Sequence, residues 1–450
     1  MEDQKIAKRG KKMKELFKEL IVDFQLSALP LPNRRDISLP NLPENVRKAF
    51  VFIGMRRSGK TWALYQIMHD LMQQGIDRTK MLYINFEDER LCDMKKENFQ
   101  DILKAYFELY PNFLHREDIH FFFDEIHEIA GWEKFIRRIL DAEKMKIYIT
   151  GSSCKMLSKE IASSVRGRTF TQEIFPFSFA ETLAKMNIEV SKNVGTKGKI
   201  ELMHHLKNFL QWGGFPEVIG TTPEMHRNLL QGYLSSVIYR DIIERYGIST
   251  SSTLKHLLSH SLRNSATIFS ISKMYNTFKS MGYEVSKGTL YEYMSYFEDA
   301  YCVFSIHKFD LSQRKSANSM KKIFVVDQGL ITAVTMSSSF DVAAQLESAV
   351  FAHLRRHSTD IFYYRTKEET EVDFLLLLPD QTIHLFQVCV TLQDAATRRR
   401  EIAALITAMD ELQITQGVIV TLEDQDEEIR VANGIVYVIP AWKVLLGLRR

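Results

Sequence analysis

Hydrophobic positions change their period several times along the chain, and each change marks a new part. Met13, Leu16, Phe17, Leu20, Ile21 and Phe24 recur at helical spacing, which predicts an amphipathic N-terminal helix with one basic side. That side reads as a solvated face of a docked helix, with an arm touching DNA or a partner as the alternative. Pro30, Pro32, Pro40 and Pro43 follow. Each pushes the residue before it out of helix, so an extended linker is expected. From Ala49, four nearly continuous apolar runs at 49–54, 80–86, 119–125 and 146–152 alternate with amphipathic stretches at 60–73, 102–110 and 132–142. Buried strands separated by helices predict a parallel sheet covered on both faces.

Beyond Gly213–Ile219 the pattern is mostly helical, after a polar loop at 191–199. Helices at 254–262, 271–281 and 289–297, then strands at 302–309 and 322–327, follow the order of a winged helix. From about Leu346 a helix, three strands (361–365, 372–378, 383–390), a helix after Asp394 and a strand at 417–422 predict a small α/β domain.

Composition narrows the classes. The chain has 450 residues, 45% hydrophobic and 26% charged, enough apolar matter for about three packed domains. Lys plus Arg (59) nearly balances Asp plus Glu (56), so any nucleic-acid site is a local patch. Cys92, Cys154, Cys302 and Cys389 lie far apart without a CxxC pair, which argues against a disulfide framework or structural zinc. No apolar run approaches the roughly 18 residues that span a bilayer. A cytoplasmic protein without a membrane partner is expected.

The strongest chemical signal is Gly54-Met55-Arg56-Arg57-Ser58-Gly59-Lys60-Thr61, which fits G-x-x-x-x-G-K-[ST] between a buried strand and a helix. There, backbone N–H groups and the helix dipole cradle phosphates. Gly54, Arg57, Ser58, Gly59, Lys60, Thr61 and the adjoining Trp62 are the expected ATP-binding residues. Lys60 is expected on the β- and γ-phosphates and Thr61 on Mg²⁺. Asp124 and Glu125 end the apolar run Phe121–Phe123, and that end of a parallel strand lies beside the phosphate loop. Asp124 therefore suits the Mg²⁺ shell, and Glu125 suits polarising the attacking water. Thr150, Ser152 and Ser153 are candidates for the γ-phosphate or its water, or form a plain turn. No N-K-x-D tetrapeptide is present, which favours ATP over GTP.

"GMRRSGKT", "FFFDEIHE", "ITGSS", "GRTFTQEIFPFSFAE" and "GGFPEVI" together resemble a family of archaeal and bacterial AAA+-type P-loop ATPases with a C-terminal domain of unknown function. The resemblance runs from about Arg34 to Thr391. It implies an AAA+-like ATPase core, a helical lid with a winged helix, and a C-terminal fold similar to restriction endonucleases. By the same resemblance Arg166 or Arg168 is a charge-stabilising arginine, or an anchor of the lid. Pro216 resembles a turn that packs near the base, or is a plain turn proline. The expected division is helix and linker over 1–45, ATPase core over 46–185, lid over 186–250, winged helix over 251–335, and endonuclease-like domain over 340–450.

Two further expectations concern partners. Ser286, Lys287 and Thr289 open the winged helix's recognition helix, and Lys308, Arg314, Lys315, Lys321 and Lys322 lie on or beside its wing. They are candidates for DNA contact, against a protein partner, interdomain packing or a homo-oligomer. In the last domain the resemblance implies a helical Glu, a strand Asp and then Glu-x-Lys. The chain has Glu347, Asp373 and Gln387-Val388-Cys389. Gln387 removes an anionic metal ligand and Cys389 a cation, so cleavage is not expected, although Arg365 or Lys367 stands near enough in sequence to replace the lysine. Arg398, Arg399 and Arg400 would hold DNA or face solvent.

Overall fold

The computed structural model describes residues 2–43, 46–114, 116–151, 167–190, 194–249, 251–310, 312, 319–335 and 341–448, the side chains of 2–11 apart. It divides into two compact units, one of residues 1–55 and 59–174, the other of 56–58 and 175–450.

The first unit is a five-stranded sheet: β1 (Ala49–Ile53), β2 (Met81–Asn85), β3 (His120–Asp124), β4 (Lys146–Gly151) and β5 (Thr169–Glu173). All pairs are parallel, in the order β2-β3-β4-β1-β5. β1 and β3 are buried along their whole length, as strands covered on both faces must be. The sheet with its helices is that of a P-loop NTPase of AAA+ type. The sequence pattern did not foretell β5. It is the edge strand, and its half-exposed Thr-Phe-Thr-Gln-Glu run carries no apolar signature.

Helix α1 (Glu2–Leu26) is docked by its apolar stripe. Phe17 and Ile21 are fully buried, Lys14 reaches Glu108 at 2.7 Å, and Arg90 reaches Asp23 at 3.0 Å. Helices α2 (Lys60–Gln73), α3 (Phe99–Leu109) and α4 (Trp132–Ala142) cover the sheet. Phe50, Phe52, Leu64, Met68, Phe122 and Tyr148 form a core beneath α2, where Phe122 stacks on Tyr148 at 4.6 Å.

The second unit opens with α5 (Phe179–Lys185), α6 (Thr196–Trp212) and α7 (Pro223–Ser236), the last continuing as a π-helical stretch, Val237–Glu244. Next come α8 (Ser251–Arg263), β6 (Thr267–Phe269), α9 (Ile271–Ser280), α10 (Lys287–Asp299), β7 (Val303–Lys308), β8 (Lys321–Val325) and α11 (Gly329–Val334). Then follow α12 (Val342–Arg355), β9 (Ile361–Arg365), β10 (Glu371–Leu377), β11 (Ile383–Cys389), α13 (Ala395–Leu412), β12 (Gln416–Thr421), β13 (Glu427–Val431), β14 (Gly434–Pro440) and α14 (Ala441–Leu445).

All nine strands of this unit form one mixed sheet, β13-β14-β12-β11-β10-β9-β7-β8-β6. The join is the parallel pairing of β7 with β9, His307 opposite Phe362 and Lys308 opposite Tyr363. The sequence boundary at 335–340 therefore falls inside one continuous sheet. No described helix is long and apolar enough to cross a membrane.

Candidate functional site

In the first unit, β1 feeds the phosphate loop and α2 leaves it. Gly59 caps α2 in the left-handed region at φ 99°. A Cβ there would lie 3.1 Å from a guanidinium nitrogen of Arg35, which can give way, so it is the backbone conformation that favours glycine. The first turn of α2 carries no acidic residue, and its cap forms no side-chain hydrogen bond. Its N–H groups can therefore face an anion. Lys60 is 5% exposed. Its Nζ donates to the carbonyls of Gly54 (3.2 Å) and Met55 (3.3 Å) and lies 3.4 Å from Glu125 Oε1.

Asp124 ends β3 and is 1% exposed. It accepts hydrogen bonds from the hydroxyls of Thr150 and, at 2.9 Å, Tyr83, and also from Thr61. Burial, then repulsion from Glu125, holds its carboxyl above the ordinary range, while the three hydroxyls pull the other way. A buried carboxylate among hydroxyl oxygens gains from a hard cation, so Thr61 and Asp124 fit Mg²⁺. Glu125 occupies the left-handed region at φ 51°, which for a non-glycine residue costs on the order of 1 kcal/mol. Its N–H donates to Thr150 Oγ1 at 2.8 Å, and His127 Nδ1 lies 3.3 Å from its Oε2. Thr150 thus bonds both acidic residues and positions them.

Tyr83 and Arg35 join this site without any signal in the sequence. Tyr83 reads as one more position of an apolar strand. Arg35 reads as one more linker charge, yet it is buried, with its backbone N–H and carbonyl both bonded to the Gln66 amide. Trp62 stands 45% exposed, its ring edge-on to Tyr65.

Arg168 requires a correction. It precedes β5, its carbonyl accepts a hydrogen bond from the N–H of Ala49 at the start of β1, and its guanidinium pairs with Asp141 at the end of α4. The phosphate loop leaves the other end of β1, five residues or about 17 Å away at the rise of an extended strand. Arg168 is therefore not brought to the phosphate loop of its own chain. Ser152, Ser153, Cys154 and Arg166 lie outside the described residues, as do Arg314 and Lys315.

Arg57, Ser58 and Pro216 belong to the second unit. Arg57, at φ 69°, lies 3.1 Å from Glu217, which also accepts from Tyr233 at 2.6 Å. Arg56 meets the buried Asp241 of the π-helical stretch at 3.2 Å. The glycines before Pro216 are set by two neighbours, Asp327 for Gly213 and, for Gly214, the Phe177 carbonyl oxygen, which a Cβ would approach to 2.0 Å. Gly214 N–H donates to its Oδ2 at 2.7 Å and Gly329 N–H to its Oδ1 at 2.9 Å. A Cβ on Gly213 would fall 1.7 Å from Asp327 Oδ1. Burial pushes this carboxyl up to about 6 against those two N–H donors.

A second correction concerns Lys322. It does not stand out on a wing to meet phosphates; it is 3% exposed and held by Glu347, Glu371 and Asp373. The cation in the acidic group of the last domain is therefore Lys322. Arg365 instead approaches Glu369 and Glu371 at 3.3 and 3.6 Å, and the backbone N–H of Lys367 donates to Glu411. Arg398 forks onto Glu427 and Arg400 pairs with Glu401, while the Arg399 guanidinium donates to the carbonyl of Ala395.

Comparison with known proteins places these features. A family model described as "AAA domain" matches residues 46–183. Two models described as domains of unknown function match 203–341 and 343–444. The uncharacterized protein MJ1544 of Methanocaldococcus jannaschii is 34% identical over 441 residues, 96% of this chain and 95% of its own. An uncharacterized protein of Haemophilus influenzae is 29% identical over 74% of this chain and 81% of its own. Among solved structures, the Orc1 protein of Aeropyrum pernix in complex with DNA aligns over 72% of this chain and 91% of its own, at 12% identity and a TM-score of 0.29. That likeness is too low to carry an argument.

Proposed function

This chain belongs to the family of archaeal and bacterial AAA-type ATPases with C-terminal domains of unknown function, and from that premise we propose that it hydrolyses ATP with Mg²⁺ to switch a DNA- or protein-contacting winged helix. One observation carries the enzymatic part. Two buried elements bring a lysine and a threonine (Lys60, Thr61) together with an adjacent carboxylate pair (Asp124, Glu125). Thr61 and Asp124 would hold Mg²⁺, whose charge offsets that of the β- and γ-phosphates.

The chain's own residues do the rest. Lys60 exchanges the carbonyls of Gly54 and Met55 for phosphate oxygens, replacing a bond to a neutral acceptor with one to an anion. Glu125, fixed by Thr150, accepts a proton from the attacking water. Calorimetry on folded Lys60→Ala tests the assignment: Mg-ATP affinity falls by at least about 10²-fold. Unchanged affinity would place the nucleotide elsewhere.

The coupling part rests on the order helix, strand, helix, helix, strand, strand over α8, β6, α9, α10, β7 and β8. Ser286 caps α10, and Lys287, Thr289, Lys308 and Lys321 lie on its first turn or on the paired strands. Duplex-DNA affinity should fall with salt, and the slope should drop by about 1 when one phosphate-contacting lysine is removed. DNA binding that ignores Lys287→Ala and Lys308→Ala would point to a protein partner.

A further inference from the structure

Outside the nucleotide site, the densest group of buried charge lies in the second unit. Lys322 Nζ, from β8, is 2.6 Å from Glu347 Oε1 on α12, and 3.0 Å from both Glu371 and Asp373 at the start of β10. The Lys322 ammonium is enclosed by carboxylate oxygens from two elements, α12 and β10.

The neighbouring positions are committed elsewhere. Asp373 accepts from the N–H of Val388 at 2.9 Å, and its own N–H donates to Gln387 Oε1 at 3.2 Å. Gln387 gives its amide N–H to Glu401 at 2.7 Å. A glutamate at 387 would set two carboxylates against each other there, so the amide is the residue this packing accepts. Cys389 cannot supply a cation, and burial pushes its thiol up to about 12, keeping it neutral.

We propose that the Lys322 ammonium is a built-in cation: it occupies the position that Glu347, Glu371 and Asp373 would otherwise offer a divalent metal ion, and it closes this site to metals. Carboxylates from a helix and a strand converging on one point within 3 Å form the oxygen set that hard divalent ions take. An ammonium satisfies the same oxygens with one charge and three N–H donors, but it is tethered and cannot activate water as a metal does. On this reading the domain keeps a metal-site shape and uses it to tie β8 to α12 and β10.

The test uses the full-length, nucleotide-free protein and Mn²⁺ as probe, read by calorimetry and by the paramagnetic signal of free ion. Wild type should show no Mn²⁺ site that Asp373→Asn removes. Lys322→Ala should gain one Mn²⁺ per chain, at least tenfold tighter than any wild-type binding, and lose it again in the double variant with Asp373→Asn. If Lys322→Ala does not fold without metal, Mn²⁺ should restore its fold, read by circular dichroism, and Asp373→Asn should abolish that rescue; failure of Mn²⁺ to rescue would overturn the proposal equally. A folded variant with no new Mn²⁺ site would overturn the proposal. So would an Asp373-dependent Mn²⁺ site, or Mn²⁺-dependent DNA nicking, in the wild type.

Discussion

Two lysines, Lys60 and Lys322, are about equally buried and sit beside strand-borne carboxylates, yet their surroundings differ in kind. Lys60 rests on two carbonyls of its own loop and has one carboxylate at 3.4 Å. Lys322 has three carboxylates within 3.0 Å. The first cation is under-compensated and can change partners, as a site for a polyanion requires. The second is more than answered by its carboxylates and leaves no positive charge for an anion arriving from outside. Burial and a neighbouring acid do not by themselves mark a working lysine; what matters is how much of its charge is already answered.

The contrast can be broken by experiment. The largest expected effect is loss of Mg-ATP binding in Lys60→Ala, while the nucleotide-free protein loses less stability than it does in Lys322→Met, because two ammonium–carbonyl bonds and one longer ion contact are lost instead of three close ion pairs. Lys322→Met should do the reverse. Removing one partner of a buried ion group costs about 3–5 kcal/mol, so unfolding moves to lower denaturant while the folded variant keeps its Mg-ATP affinity. Equal destabilisation by the two substitutions would erase the distinction.

Glu125→Gln sharpens the comparison inside the nucleotide site. The amide keeps its shape but cannot take a proton, so turnover should fall by about 10²-fold or more with affinity retained. Wild-type turnover would move the base to another residue.

Acidity gives a smaller signal in the first unit. Burial, then Lys146, holds His120 down to about 4, below the ordinary 6.5. Between those values the unfolded chain binds the proton and the folded one does not. Stability is therefore full above 6.5 and is lost as pH falls towards 4, by roughly 1–3 kcal/mol. Chemical denaturation across that window should show the loss, and His120→Gln should flatten it. The smallest effect is expected for Arg168→Ala. Its pair with Asp141 is half exposed, worth less than about 1 kcal/mol, and dilute protein should keep its ATPase rate within about twofold. A large loss of rate would mean that Arg168 serves a neighbouring chain.

Much of the nucleotide unit was legible because its signals are local. A buried strand, a glycine loop and a helix follow one another within a few turns of chain, and α2 and α4 begin and end where their apolar spacing says. Edge strands such as β5 and β6 were not legible, since a half-exposed pleat needs no apolar run. Gly213 and Gly214 were visible as a motif, but their causes, the distant Asp327 carboxylate for Gly213 and the Phe177 carbonyl for Gly214, were not.

By itself the sequence determined the phosphate loop, the acidic end of β3 and the order of helices and strands, because each depends on neighbours in the chain and on the period of apolar residues. Only the tertiary structure decided which charges meet. It turned Lys322 inward to Glu347, Glu371 and Asp373, used Thr150 to hold two acids, and set Arg168 at the far end of the strand that feeds the phosphate loop. Strand pairing sets these encounters: one residue of register turns a side chain from one face of the sheet to the other, and sequence spacing carries no record of which distant strand lies alongside.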